Sequence, residues 1–134
     1  MLHKSNNDAQ STLLQVKNIS KKFGDFYAND TLNLSIETGK VHALVGENGA
    51  GKSTLVKMMY GALQPTSGSI HWQGQDVSID SPAHARNLGI GMVFQHFSLF
   101  EALTVAENIS LALPAQLRQG DLSQRIADLS QDYG

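Results

Sequence analysis

No cysteine occurs among the 134 residues. That excludes disulfides and thiolate metal sites, and it fits a reducing cytoplasm. A basic surplus is also missing: 10 lysines and arginines face 12 acidic residues, for a formal net charge of −2. Nothing in that balance argues for a nucleic-acid partner. No apolar run approaches the ~20 residues that a membrane-spanning helix needs. The opening stretch 1–12 is polar, without the apolar centre of a secretory signal, and reads as a disordered tail. The five histidines show no metal-ligand spacing, so each is read as a surface or packed residue. Internal repeats and low-complexity segments are absent. What remains is ordinary: 41% hydrophobic, 16% charged, enough chain for one small domain with a single core.

Against that plain background one string stands out. Gly46-Glu47-Asn48-Gly49-Ala50-Gly51-Lys52-Ser53-Thr54 fits the pattern G-x-x-x-x-G-K-[ST] at every fixed position. Such a loop turns backbone N–H groups onto phosphate oxygens, and Gly46, Gly49 and Gly51 keep side chains out of that approach. Lys52 supplies a point charge for the β- and γ-phosphates, and the Ser53 hydroxyl is suited to coordinate Mg²⁺. The positive end of the following helix adds to both. A glycine-rich turn can match by chance, so context matters. Val41–Val45 reads as a short buried parallel strand, and Thr54–Tyr60 carries helical spacing that stops at Gly61. Strand, loop and helix together predict a site for a nucleoside triphosphate.

The surrounding chain is a string of short elements. Leu13–Ile19 partly alternates and Thr31–Glu37 alternates cleanly, as half-buried strands do, with a turn over Lys21–Asp25 between them. Ser69–Trp72 and Asp76–Ile79 flank Gln73-Gly74-Gln75 as a hairpin. Ser81-Pro82 opens a short helix with proline in its first turn. Gly91–Phe94 reads as a second buried strand, ending at Gln95. Thr104-Val105-Ala106-Glu107 is a capping box for a helix through Leu113. Leu122, Ile126, Leu129 and Tyr133 then mark one apolar face of a further helix, read as a packing surface.

Taken together, Val41–Tyr60, Gln64–Ile70, Gly91–His96 and Leu103–Ile109 closely resemble the N-terminal part of ABC transporter ATPase subunits. The wording around Gly46–Lys52, with Gln95-His96-Phe97, looks most like the subgroup serving simple-sugar and nucleoside importers. The resemblance implies an α/β P-loop NTPase core with an antiparallel β subdomain. On this reading 13–134 is the N-terminal part of the nucleotide-binding domain, with a helical subdomain from about 104. It further implies that Phe23 matches the aromatic that stacks on adenine, worth roughly 1–3 kcal/mol per base in comparable sites. A core phenylalanine is the alternative for that residue. Ala28 matches a position at the base or ribose edge. Residues 46–54 hold ATP with Mg²⁺, and Gln95 reaches the metal and the γ-phosphate side. Lys52 and Gln95 are thus the catalytic candidates and Ser53 and Gln95 the metal contacts. Residues 96–103 fall where membrane permease subunits dock, and Phe97, Leu99 and Phe100 form an apolar cluster that such docking covers. The implied location is the cytoplasmic face of the plasma membrane, held peripherally, with a second ATPase domain in a head-to-tail dimer.

Parts of the resembling engine do not occur in these residues. No run of four apolar residues followed by Asp and Glu is present, and Val77–Asp80 followed by Ser81 is not a substitute. The signature Leu-Ser-Gly-Gly-Gln and a switch histidine are absent, and Leu129–Tyr133 shares only two signature residues. The expectation is an N-terminal fragment, truncated before Walker B, that grips nucleotide without a general base. As a fragment it should expose apolar strand faces and self-associate. Two alternatives stay open: a natural truncation that binds without turnover, and a small-molecule kinase. Against the kinase stand the turn Pro65–Gly68 and the scarcity of cations after Lys57, which are only Arg86, Arg118 and Arg125.

Overall fold

Alternation pairs the first two strands, but bulges set how far. In the computed structural model, which describes residues 12–94, 96 and 99–133, β1 (Thr12–Phe23) and β2 (Phe26–Glu37) form a long antiparallel hairpin. Lys21–Phe23, which the sequence places in the turn, belongs to the strand, and only Gly24-Asp25 turns the chain. Asn18 and Thr31 sit at φ +49, where the ladder shifts register. Side chains fill in there: the Asn18 N–H donates to Asn33 Oδ1 at 2.9 Å, and the Thr31 N–H donates to Ser20 Oγ at 2.8 Å. Such a bulge changes which residues face inward. Leu14 and Val16 are buried two apart, and then Ile19 is buried three further on.

β3 (Ser67–Trp72) adds to the free edge of β1, and β4 (Gln75–Val77) pairs with β3, giving the order β2-β1-β3-β4 with every pairing antiparallel. Gln73 and Gly74 both take positive φ, which a two-residue hairpin turn of the mirror-image kind requires. The expected strand over Asp76–Ile79 shortens accordingly, since pairing ends at Val77. Leu14, Val16, Ile19 and Ile70 of the sheet join Leu55 and Met58 of helix α1 (Lys52–Met59) in the core, with Ile79 and Ala85. The α1 helix stops as a Schellman motif. The Gly61 N–H donates to the Met58 carbonyl at 3.2 Å and the Ala62 N–H to the Lys57 carbonyl at 2.9 Å, with Gly61 at φ +76. Helix α2 (Pro82–Leu88) begins at Ser81, whose Oγ accepts the His84 N–H at 3.2 Å.

Two expected strands are corrected. Val41–Val45 and Gly91–Phe94 have no ladder partner among the described residues, and Val41, Val45 and Val93 are 101%, 87% and 84% exposed. A strand exists only with a neighbour to receive its N–H and C=O groups, so apolar content alone does not make one.

The chain divides into two compact units, Met1–Val93 and Phe94–Gly134. Of the tail expected over 1–12, residues 1–11 lie outside the described residues, and Thr12 opens β1. The second unit carries α3 (Val105–Ala112), a 3-10 turn (Ala115–Arg118) and α4 (Leu122–Tyr133), with α4 packed on α3. Leu122 and Ile126 are half-buried, whereas Leu129 and Tyr133 are exposed, so only the first half of the expected apolar face is covered. Among the described residues no helix is long and apolar enough to cross a membrane.

Candidate nucleotide site

The loop 46–51 folds because three local constraints agree. Gly49 and Gly51 take φ +84 and +86, conformations that residues with a Cβ resist. The Ala50 N–H donates to the Glu47 carbonyl at 3.2 Å, closing a turn. Gly46 differs from the other two: its φ is ordinary, and a Cβ there would meet the Ala50 Cβ at 3.4 Å. Its small size therefore serves close approach and not backbone angle.

Helix α1 starts directly from Gly51 with no side-chain cap and no acidic residue in its first turn. The leading N–H groups of a helix lack intrahelical partners, and the helix dipole places partial positive charge there. An anion is the group that satisfies both. Lys52 folds back over the loop: its Nζ donates to the Glu47 carbonyl at 2.7 Å and also to the Gly46 carbonyl. The ammonium is thus held across the concave side of the loop by two carbonyls that a phosphate can replace. Ser53 is exposed beside it, Thr54 is half-buried, and Leu55 anchors the turn in the core. The donor set (free N–H groups, one ammonium and one exposed hydroxyl) suits a polyphosphate with a hard cation, which prefers oxygen ligands.

The base-side candidates are on the hairpin. Phe23 ends β1 opposite Phe26 and is 49% exposed among the described residues. One face of its ring lies 5.2 Å from Lys21 Nζ, a cation–π contact. Ala28 is half-buried on β2, and its carbonyl lies so close to Gly51 that a Cβ on the glycine would overlap it. The structure therefore brings Ala28 against the end of the loop. Gln95, Phe97 and Ser98 lie outside the described residues. In the second unit Leu99 and Phe100 are 72% and 61% exposed, and Asn108 braces this stretch. Its Nδ2 donates to the carbonyls of Phe100, Leu103 and Thr104, while its Oδ1 accepts the Phe100 N–H at 2.9 Å.

Sequence reasoning missed Asn29. It is 4% exposed, and its Nδ2 donates to the Gly51 carbonyl at 3.2 Å. The signal that could have found it is a polar residue inside a strand, one step from the matched Ala28. The bulge at Thr31 hides it, because it puts Asn29 out of phase with Leu32, Leu34 and Ile36.

The loop, the helix start and the sheet beside them define a P-loop nucleotide-binding protein, and comparison narrows the class. The ABC transporter family profile matches residues 29–134, and the chain belongs to that family. It is 48% identical over 130 residues to the nucleoside import ATP-binding protein NupA of Lactococcus lactis, covering 94% of this chain and 26% of that protein. It is 46% identical over 126 residues to the guanosine import ATP-binding protein NupO of Bacillus subtilis, covering 91% and 25%. A nucleotide-free ATP-binding cassette from an ABC transporter superposes with a TM-score of 0.68 at 35% identity, over 73% of this chain and 39% of that one. The structure of cbiO1 from Clostridium perfringens, part of the transporter complex cbiONQ, superposes with a TM-score of 0.62 at 28% identity. The chain spans about a quarter of the length of these curated relatives.

Proposed function

We propose that this chain holds MgATP at Gly46–Thr54 as the N-terminal part of an ABC importer's ATP-binding subunit. In that setting ATP hydrolysis drives uptake of a simple sugar or a nucleoside. The observation that carries the reading is the uncapped start of α1 with Lys52 drawn across the loop. Relatives in sugar and nucleoside import support the cargo class: NupA and NupO are import proteins for nucleosides and guanosine, and a Yersinia pestis relative 48% identical over 113 residues is a ribose import protein.

Within the site, backbone N–H groups of the loop and of the first turn of α1 take the phosphates, and Lys52 neutralises charge on the β- and γ-phosphates. Ser53 offers its hydroxyl to Mg²⁺, and Phe23 offers a ring face to adenine. Gln95 completes the γ-phosphate and metal contacts. Mg²⁺ when bound offsets phosphate charge and fixes the geometry of the triphosphate. No Asp-Glu pair behind an apolar run occurs in these 134 residues, so turnover needs groups from elsewhere in the subunit. The exposed Leu99 and Phe100 are the face offered to permease subunits, and the stretch from about 104, with α3 and α4, is the beginning of a helical subdomain. A second ATPase domain, arranged head to tail, completes the site. The working place of the assembly is the cytoplasmic face of the membrane.

Equilibrium dialysis of ATP with and without Mg²⁺ tests the reading at Ser53. Ser53→Ala lowers affinity for MgATP and leaves affinity for metal-free ATP unchanged. Equal affinities of wild type and variant for MgATP contradict it.

A further inference from the structure

Asn29 is an expensive residue for its position. Its side chain is almost wholly buried, and Oδ1 has no hydrogen-bond partner among the described residues. Burying an amide with one acceptor unmet disfavours the fold, and an apolar residue of similar size avoids that penalty. What the amide supplies in return is its other end. Nδ2 donates to the Gly51 carbonyl at 3.2 Å, and the same carbonyl accepts the Leu55 N–H at 3.0 Å, the first hydrogen bond of α1. Both lone pairs of that carbonyl are therefore used, one by the helix and one by the sheet.

The spacing around Gly51 fits the same role. The glycine is at φ +86, and a Cβ on it would overlap the Ala28 carbonyl and lie 2.7 Å from Asn29 Nδ2. The last residue of the phosphate loop is thus clasped between β2 and its own helix. Lys52 and Ser53 follow immediately, so the direction of their N–H groups and side chains depends on the Gly51 peptide. Among the described residues Lys52 donates to the carbonyls of Gly46 and Glu47, both within the loop, and so does not tie the loop to the sheet.

Building on the MgATP reading above, we propose that Asn29 is a positioning residue of the phosphate loop. Its buried amide fixes the Gly51 peptide to strand β2, and thereby aims the start of α1 at the phosphates without touching the nucleotide. A residue acting this way selects for the polyphosphate and leaves recognition of the base alone, since the base-side residue Phe23 pairs with Phe26 beside the turn and takes no part in the hydrogen bond from Asn29 to Gly51.

The test is Asn29→Leu, which keeps the branched shape and removes the donor, read by two measurements on the whole chain. The first is titration with MgATP and, separately, with adenosine. The expected result is an affinity for MgATP about tenfold lower, a change of about 1.4 kcal/mol, with adenosine affinity unchanged. The second is amide hydrogen exchange in the absence of nucleotide. Exchange at Leu55, whose N–H is held by the Gly51 carbonyl, should quicken about tenfold, while Val16 and Ile70 in the sheet keep their rates. Equal losses for MgATP and adenosine, or faster exchange throughout the sheet, would mean a merely structural residue and overturn the proposal. So would unchanged exchange at Leu55. If wild-type chain binds no MgATP, the functional reading fails, yet the exchange comparison still decides the role of Asn29. Asn29→Ala repeats both measurements should leucine overfill the site.

Discussion

At Gly51 three demands meet on one residue. The backbone must be left-handed, the Ala28 carbonyl leaves no room for a side chain, and the carbonyl of Gly51 must face both Asn29 and Leu55. Gly49 shares only the first of these demands, because a Cβ there meets nothing within 4 Å. Substitution by alanine should separate the two. Gly51→Ala is expected to lower stability by roughly 1–3 kcal/mol, as strained backbone does, and to abolish MgATP binding. Gly49→Ala should cost less in a thermal melt because only backbone angle opposes it. Equal melting losses at the two glycines would contradict this account of the close approach. Gly49 and Gly51 were both legible as P-loop positions, but the unequal pressure on them was not. It comes from β2, more than 20 residues upstream, through a contact that no local pattern encodes.

Helix ends are where local chemistry speaks most plainly in this chain. Thr104 and Glu107 form the reciprocal capping box: the Thr104 N–H donates to Glu107 Oε2 at 2.7 Å, and the Glu107 N–H donates to Thr104 Oγ1 at 3.2 Å. Hydrogen bonds from the Thr104 backbone, and then from its hydroxyl, hold the Glu107 carboxyl below its ordinary value of 4.5. In the unfolded chain that carboxyl takes up its proton at higher pH than in the fold. Its support for α3 is therefore complete above 4.5 and fades as pH falls through the lower folded value. Circular dichroism should show helix loss on acidification that is smaller in Glu107→Gln, which has no charge to lose. Identical acid profiles for the two chains would remove the capping box as a source of pH dependence. The same locality explains what the sequence made readable: the caps at Ser81 and Thr104, the glycine stop after Tyr60 and the turn at Gln73-Gly74 all depend on neighbours within a few positions. Strands depend on partners far along the chain. Val41–Val45 has the composition of a strand and lacks anything to pair with among the described residues, and the reach of β1 and β2 was hidden by bulges at Asn18 and Thr31.

At the scale of the whole chain, apolar surface is the dominant feature outside the site. Val41, Val45 and Val93 are almost fully exposed in two extended stretches, and Leu13, Trp72, Met59 and Met92 line an open apolar groove in the first unit. Unpaired backbone beside apolar side chains accepts any strand offered, including one from another copy. Sedimentation should therefore show association that grows with concentration, and a monomer over the full range would contradict it. None of this surface bears on the phosphate grip, which α1, β2 and the loop form within the first unit. The central claim is that grip, and calorimetric titration of MgATP into this chain beside Lys52→Ala tests it most directly. Loss of the ammonium should weaken binding by about 1.5–3 kcal/mol, as charge-assisted hydrogen bonds do. Binding of equal strength by both chains, or none by the unmutated chain, would contradict a formed P-loop site.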